Sequence, residues 1–166
     1  MQQLVNRAKQ RDADAFAELY SKCYTKLFRT AYYMTGSRQD AEDVVMDTVA
    51  DAYAGISKLR NDDAFEGWIF KILYNKARRK RGAVYYNATL ELPETLTDGD
   101  ATDIIGDRAD LLKALATLTE EERTIVILAV CDGYTSAEIS KIMAINANTI
   151  RSKQLRALAK LRAVME

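Results

Sequence analysis

The chain has a single proline, Pro93, in 166 residues, and this scarcity constrains its fold more than any other feature. Proline breaks helix interiors because it lacks an N–H and its ring collides with the preceding turn. The stretches on either side of Pro93 are dense in Ala, Leu, Lys, Arg and Glu, so they favour helix nearly throughout. The expected fold class is all-α, with two small helical domains joined by a flexible acidic linker.

Charge marks the same boundaries. Formal net charge is zero, but residues 1–82 carry 15 Lys/Arg against 11 Asp/Glu. Residues 83–110 carry one Arg against seven acids, and residues 111–166 carry eight basic residues against six acids. Two basic lobes therefore flank an acidic connector, an asymmetry that the average hides. Turn formers Pro93, Gly99 and Gly106, with Asp98, Asp100, Asp103 and Asp107, give residues 82–110 a linker composition. The expected domains are residues 1–81 and 111–166, with periodicity resuming near Leu111.

The last third carries the most specific local pattern. Thr135 and Glu138 have capping-box spacing, starting a short helix that ends near Met143. Ala144-Ile145-Asn146 reads as a tight turn, and a second helix starts at Ala147. On that helix Asn148, Arg151, Ser152 and Leu155 share one face, with Thr149 and Arg156 beside them. Ile150, Ala157, Leu158 and Leu161 lie largely on the opposite face. This is the pattern of a helix-turn-helix whose second helix enters a DNA major groove. Lys153, Lys160 and Arg162 add positive charge nearby, and five basic residues face one acid between Ile145 and Glu166. A basic helix alone is usually a solvated face. The capped preceding helix and the short turn favour the DNA reading.

In the N-terminal lobe, Phe16, Leu19, Tyr20, Cys23, Leu27 and Ala31 make a helical apolar stripe. Gly36 reads as a helix C-cap glycine and Ser37, with Asp40, as the next N-cap. A helix is expected from Arg38 to Lys58, a loop from Leu59 to Asp63, and a helix from Ala64 to about Arg81. Lys71, Asn75, Arg78 and Arg79 form a polar, basic stripe on this last helix, beside Phe65, Ile69 and Ile72, with Trp68 at the border. Basic groups beside aromatics suit a single strand whose bases stack while its phosphates are neutralised. Trp68 and Phe65 also fit a plain core. Lys58, Arg60 and Asn61 stand where they can help hold an extruded base. Asp40, Asp43, Asp47 and Asp51 occupy one arc of the preceding helix, opposite Val45, Val49, Ala52 and Ile56. The residues alone leave two readings of this arc level: a solvated face, or a docking surface for a basic partner.

Several function classes are disfavoured. There is no histidine, the commonest general base and a common metal ligand. Cys23 and Cys131 have no CxxC neighbour and read as reduced core residues, so no cofactor or metal is expected. The aspartate row does not converge in a pocket, and no Gly-rich phosphate loop is present, so an enzyme is the least favoured class. No apolar run is long enough to span a membrane, and the first seven residues lack the apolar core of a signal peptide. A cytoplasmic location is expected.

The order of these fragments resembles a bacterial alternative sigma factor of the extracytoplasmic-function (group IV) type. The resemblance covers nearly the whole chain. Ala15 to Tyr20, Gly36 to Val45 and Trp68 to Asn75 look like the family's region 2. Leu118 to Arg123, Gly133 to Ile139, Asn148 to Ser152 and Arg156 to Arg162 look like region 4. The resemblance implies that Asp40, Asp43, Met46 and Asp47 dock on the clamp of the largest subunit of core RNA polymerase. It implies that Lys58, Arg60, Asn61, Trp68, Lys71, Asn75, Arg78 and Arg79 recognise and open the minus-10 element as single strand. Asn148, Thr149, Arg151, Ser152, Leu155 and Arg156 would read the minus-35 element as duplex. An anti-sigma factor is the expected regulator. The family usually has Gln-Glu where this chain has Met46-Asp47, and an acid where it has Arg79. The alternatives are a sigma-mimicking decoy that captures an anti-sigma factor, and a simple helix-turn-helix regulator. The decoy would lack working DNA contacts, and the regulator would need no N-terminal lobe.

Overall fold

The computed structural model describes residues 1–80 and 105–166, all of its regular elements there being helical. The N-terminal lobe is built from α1 (Gln2–Lys9), α2 (Ala13–Thr35), α3 (Arg38–Gly55) and α4 (Phe65–Lys80). Local chemistry sets its corners. The Asp12 carboxylate accepts the Ala15 N–H at 3.1 Å and is held by Arg7 at 2.7 Å, which starts α2. Gly36, at φ 71°, ends α2 in the left-handed conformation that costs glycine little. The Ser37 hydroxyl then accepts the Asp40 N–H at 3.3 Å and opens α3.

The expected helix from Arg38 to Lys58 keeps its path but tightens before it ends. Its α-helical part stops at Gly55, and Ile56–Lys58 is a 3₁₀ turn. The expected loop is shorter than its sequence suggests, because Asp62–Ala64 forms a second 3₁₀ turn that leads into α4 at Phe65. Both turns are held by buried apolar anchors, Ile56 and Leu59 on one side and Phe65 on the other. The core of the lobe is formed by Leu19, Leu27 and Ala31 of α2, Val44, Val45 and Ala52 of α3, and Ile69 and Leu73 of α4. Each large apolar side chain removed from water there contributes about 1.5–3 kcal/mol.

The C-terminal lobe comprises α5 (Ile105–Ala116), α6 (Glu120–Val126), a π-helical continuation (Ile127–Cys131), α7 (Ser136–Met143) and α8 (Ala147–Met165). α5 begins inside the stretch expected to be linker; acidic residues suit a helix's first turn as well as a connector. The rest of that stretch, residues 81–104, lies outside the described residues. Thr119 and Glu122 form a full capping box at the start of α6. Arg123 is buried, and its guanidinium donates to the carbonyls of Leu115 and Leu118, both at 3.1 Å, satisfying the open end of α5.

The two lobes pack against each other. α4 lies along α7, and the π-helical segment meets α2. The wide turn aims Asp132 at α2, where its buried carboxylate accepts the Thr30 hydroxyl at 2.6 Å and lies 3.5 Å from Arg29. Arg29 also donates to the Cys131 carbonyl at 3.3 Å. Tyr134 packs edge-on against Phe70, beneath the Lys26 ammonium, and its hydroxyl donates to Glu66 at 3.3 Å. The apolar core runs through both lobes without a break.

Candidate nucleic-acid interface

The helix-turn-helix is set by side-chain caps at each corner. Thr135 and Glu138 make the expected capping box at the start of α7. The turn passes through Ala144 at φ 56°, and the Ser140 hydroxyl donates to the Ile145 carbonyl at 2.5 Å. Asn146 accepts the Asn148 N–H at 2.8 Å and starts α8. Ile150, Ala157 and Leu161 bury the inner face of α8, with Leu158 half-buried.

The outer face of α8 is open. Asn148, Thr149, Arg151, Ser152, Leu155 and Arg156 are all exposed, Leu155 at 71%. Arg151 donates to the Asn148 side-chain oxygen at 2.6 Å, which holds the two as one unit. Such a face carries a guanidinium fork and an amide for base edges, and an apolar side chain for a thymine methyl. Lys153 and Lys160 do not belong to it. Lys153 is bound by Glu121, and Lys160 lies 2.9 Å from Glu122, so both fasten α8 to α6. Burial pushes the Glu122 carboxyl up, but Lys160 and the Thr119 N–H outweigh it and hold the group below its ordinary range.

A second basic face lies on α4 and the turn before it. Lys71, Arg78 and Arg79 are exposed and Asn75 is half-buried on the same helix. Trp68 is half-buried, with Phe65 at 6.1 Å on one side and Gly55 beneath its ring edge. It combines the core and surface roles that the sequence left open. Lys58, Arg60 and Asn61 are exposed around buried Leu59. The Asn61 side-chain oxygen is committed to the Asp63 N–H at 3.1 Å, so what it presents outward is its NH₂ group. Arg78 also reaches back over the Tyr74 ring at 5.6 Å.

The acidic face lies on α3. Asp43, Met46, Asp47 and Asp51 are exposed, Met46 at 69%, and Asp40 is half-buried near the helix start. Lys76 and Lys80 of α4 reach across to it, at 2.7 Å from Asp51 and 3.4 Å from Asp43. Sequence reasoning missed these two lysines as partners of the stripe. Helical periodicity places them on α4 but cannot bring α4 beside α3.

Comparisons with known proteins follow the same division. The family description "Sigma-70 region 2" matches residues 19–83, and "Sigma-70, region 4" matches residues 108–161. The chain belongs to the sigma-70 family. Two curated relatives place this sigma factor in the extracytoplasmic-function group. It is 25% identical to ECF RNA polymerase sigma factor SigM of Mycobacterium tuberculosis, over 90% of this chain and 76% of that one. It is also 25% identical to SigW of Bacillus subtilis, over 90% of this chain and 88% of that one. Among solved structures it resembles the sigma factor RpoE of Bartonella quintana, determined in complex with the anti-sigma factor NepR. That match has a TM-score of 0.73 and 25% identity over 90% of this chain and 96% of the other. The region 2 match contains the acidic face of α3 and the basic face of α4, and the region 4 match contains the helix-turn-helix of this sigma factor. Helix α1 precedes both. No helix among the described residues is long and apolar enough to cross a membrane.

Proposed function

We propose that this alternative sigma factor divides promoter recognition among its three faces. The Asp40, Asp43, Met46 and Asp47 face of α3 docks on the clamp of the largest polymerase subunit. Lys58, Arg60 and Asn61, with Trp68, Lys71, Asn75, Arg78 and Arg79, capture the opened minus-10 strand. Asn148, Thr149, Arg151, Ser152, Leu155 and Arg156 read the minus-35 duplex. Residues 1–81 and 111–166 are the functional domains, and the acidic connector spans between them on the polymerase. Opening uses binding energy: unpaired bases are captured on Trp68 and the basic rim, and phosphates are neutralised by Lys71, Arg78 and Arg79. No covalent step is required. The protein acts in the cytoplasm, and an anti-sigma factor restrains it.

One observation carries this reading. On α8 the lysines that face α6 are tied to glutamates, while the whole Asn148–Arg156 face is left open to solvent. A merely solvated basic helix has no reason to sort its charges in this way.

The test is promoter-dependent transcription with core polymerase from the same organism, with and without this protein, on its own genomic fragments. Discrete transcripts starting at fixed sites support the reading and supply the promoter sequence. Tight polymerase binding without transcripts favours the decoy. Absence of polymerase binding removes the sigma-factor reading for this chain.

A further inference from the structure

Helix α1 lies outside the residues that match region 2 and carries none of the residues of the three faces. Its inner face is fully committed, with Val5 and Ala8 completely buried. It packs on α2 and on both 3₁₀ turns, Ile56–Lys58 and Asp62–Ala64. Those turns flank the exposed rim of Lys58, Arg60 and Asn61.

The polar contacts converge on the same place. Lys9 binds Asp62 at 2.9 Å, with side chains only 23% and 29% exposed. The Lys80–Asp43 pair on the acidic face is more open, at 31% and 51%. The Gln2 amide donates to the Asp63 carboxylate. Just beyond α1, Arg11 adopts φ 67° and donates to the Tyr53 carbonyl at 3.3 Å, in the last turns of α3. Asp62 follows Asn61 directly, and the Asp63 N–H holds the Asn61 side-chain oxygen. The two residues that α1 grips are therefore the two that fix where the Asn61 NH₂ group points.

We propose that α1 is a positioning element for the minus-10 turn, acting through the Lys9–Asp62 pair. The proposal rests on the reading of Lys58, Arg60 and Asn61 as the residues that hold an extruded base. Base capture needs donors held within a fraction of an ångström, and a site loosened by about 1 Å loses much of its discrimination. Between the buried anchors Ile56, Leu59 and Phe65 the rim itself is exposed, and without a brace it can rock between them. The brace from α1 blocks that motion without touching DNA.

The experiment uses the full chain with core polymerase and compares Lys9→Ala, Asp62→Ala, the double variant and Lys9→Arg. Four quantities are read: thermal midpoint, polymerase binding, promoter opening, and base preference at each minus-10 position. Each alanine variant should slow opening about fivefold, the scale of one mostly covered ion pair. It should also flatten the base preference at the position read by the turn. Polymerase binding should hold, and the midpoint should move by less than about 4 °C. The double variant should be no worse than the more damaging single one, because both remove the same contact. Lys9→Arg should restore opening and preference. Additive losses, or losses that track the thermal midpoint with preference intact, overturn the proposal.

Arg60→Ala and Asn61→Ala separate this idea from the reading beneath it. If they weaken opening while Lys9→Ala does not, the turn reads the base and the brace is wrong. If neither affects opening or preference, the turn is not a reader and both ideas fall.

Discussion

Ala144 is the residue on which the helix-turn-helix bends. At φ 56° and ψ 41° it lies in the left-handed region, where a Cβ costs about 1–2 kcal/mol. Glycine removes that cost but adds freedom to the unfolded chain. Ala144→Gly should therefore stabilise the protein by about 0.5–1 kcal/mol, read as a higher midpoint in thermal unfolding, whereas Ala144→Val should lower it. Sequence showed a turn here from the Thr135–Glu138 capping box before it and the helical pattern that restarts at Ala147, and the structure adds the Asn146 cap. It did not show the strain, because alanine gives no signal of a left-handed backbone. Arg151 and Lys153 teach a related lesson. They stand two positions apart and look alike as charge, yet Arg151 faces solvent and Lys153 is bound by Glu121. Arg151→Ala should weaken binding to a minus-35 duplex by about 1–3 kcal/mol and relax preference at one or two base pairs. Titration against a panel of substituted duplexes checks both. Uniform weakening across the panel would reassign Arg151 to a phosphate.

Some helix starts were legible because they are written in side chains, as at Ser37 and Thr135; Asp12, Thr119 and Asn146 cap the elements that follow them in the same way, though neither Asp12 nor Asn146 was read as a cap from sequence. Helix ends were less so. The α-helical run of α3 stops at Gly55, and the chain tightens around Ile56, which is buried where α1 packs on the turn; the glycine marks the position, but the 3₁₀ continuation is not written locally. The acidic stripe shows the same limit. Its helical spacing was visible, but its pairing with Lys76 and Lys80 depends on how α3 and α4 pack. Those pairs are exposed enough that each contributes less than about 1 kcal/mol. Replacing Asp43 and Asp47 together by Lys should therefore leave the helical circular dichroism and the cooperative unfolding of the chain intact. It should abolish co-elution with core polymerase, because a basic partner surface now meets like charge. Normal co-elution would remove the stripe from the docking mechanism.

At the scale of the molecule, two lobes could be read from charge and composition, but their closure could not. Thr30 and Asp132 are far apart in the chain, and neither residue type signals a long-range hydrogen bond. On the proposed division of faces, the closed form is not the form that binds a promoter. Elements about 25 base pairs apart at about 3.4 Å per step lie some 85 Å from each other, ignoring any DNA bending. A folded chain of this length has a radius of gyration of about 15 Å. Clasped lobes of that size do not span such a distance, so the proposed function requires the clasp between α2, α4 and the Cys131–Tyr134 corner to open on the polymerase. Asp132 is the test of how firmly it is shut. Burial pushes its carboxyl above the ordinary value of 3.8, against the opposing pull of Thr30 and Arg29. A carboxyl raised in the closed form favours closure when protonated, so the clasp should tighten as pH falls from that raised value towards 3.8 and loosen above it. Asp132→Asn keeps an acceptor for the Thr30 hydroxyl and removes the buried charge. It should stay closed and lose that pH response. Asp132→Ala leaves the Thr30 hydroxyl without its acceptor, and should shift the population towards open forms. Small-angle scattering distinguishes the three: the asparagine variant should keep the compact radius, and the alanine variant should exceed it by several ångströms as the lobes separate. Equal radii for all three would place the strength of the clasp in the Phe70–Tyr134 contact and the apolar seam between α4 and α7.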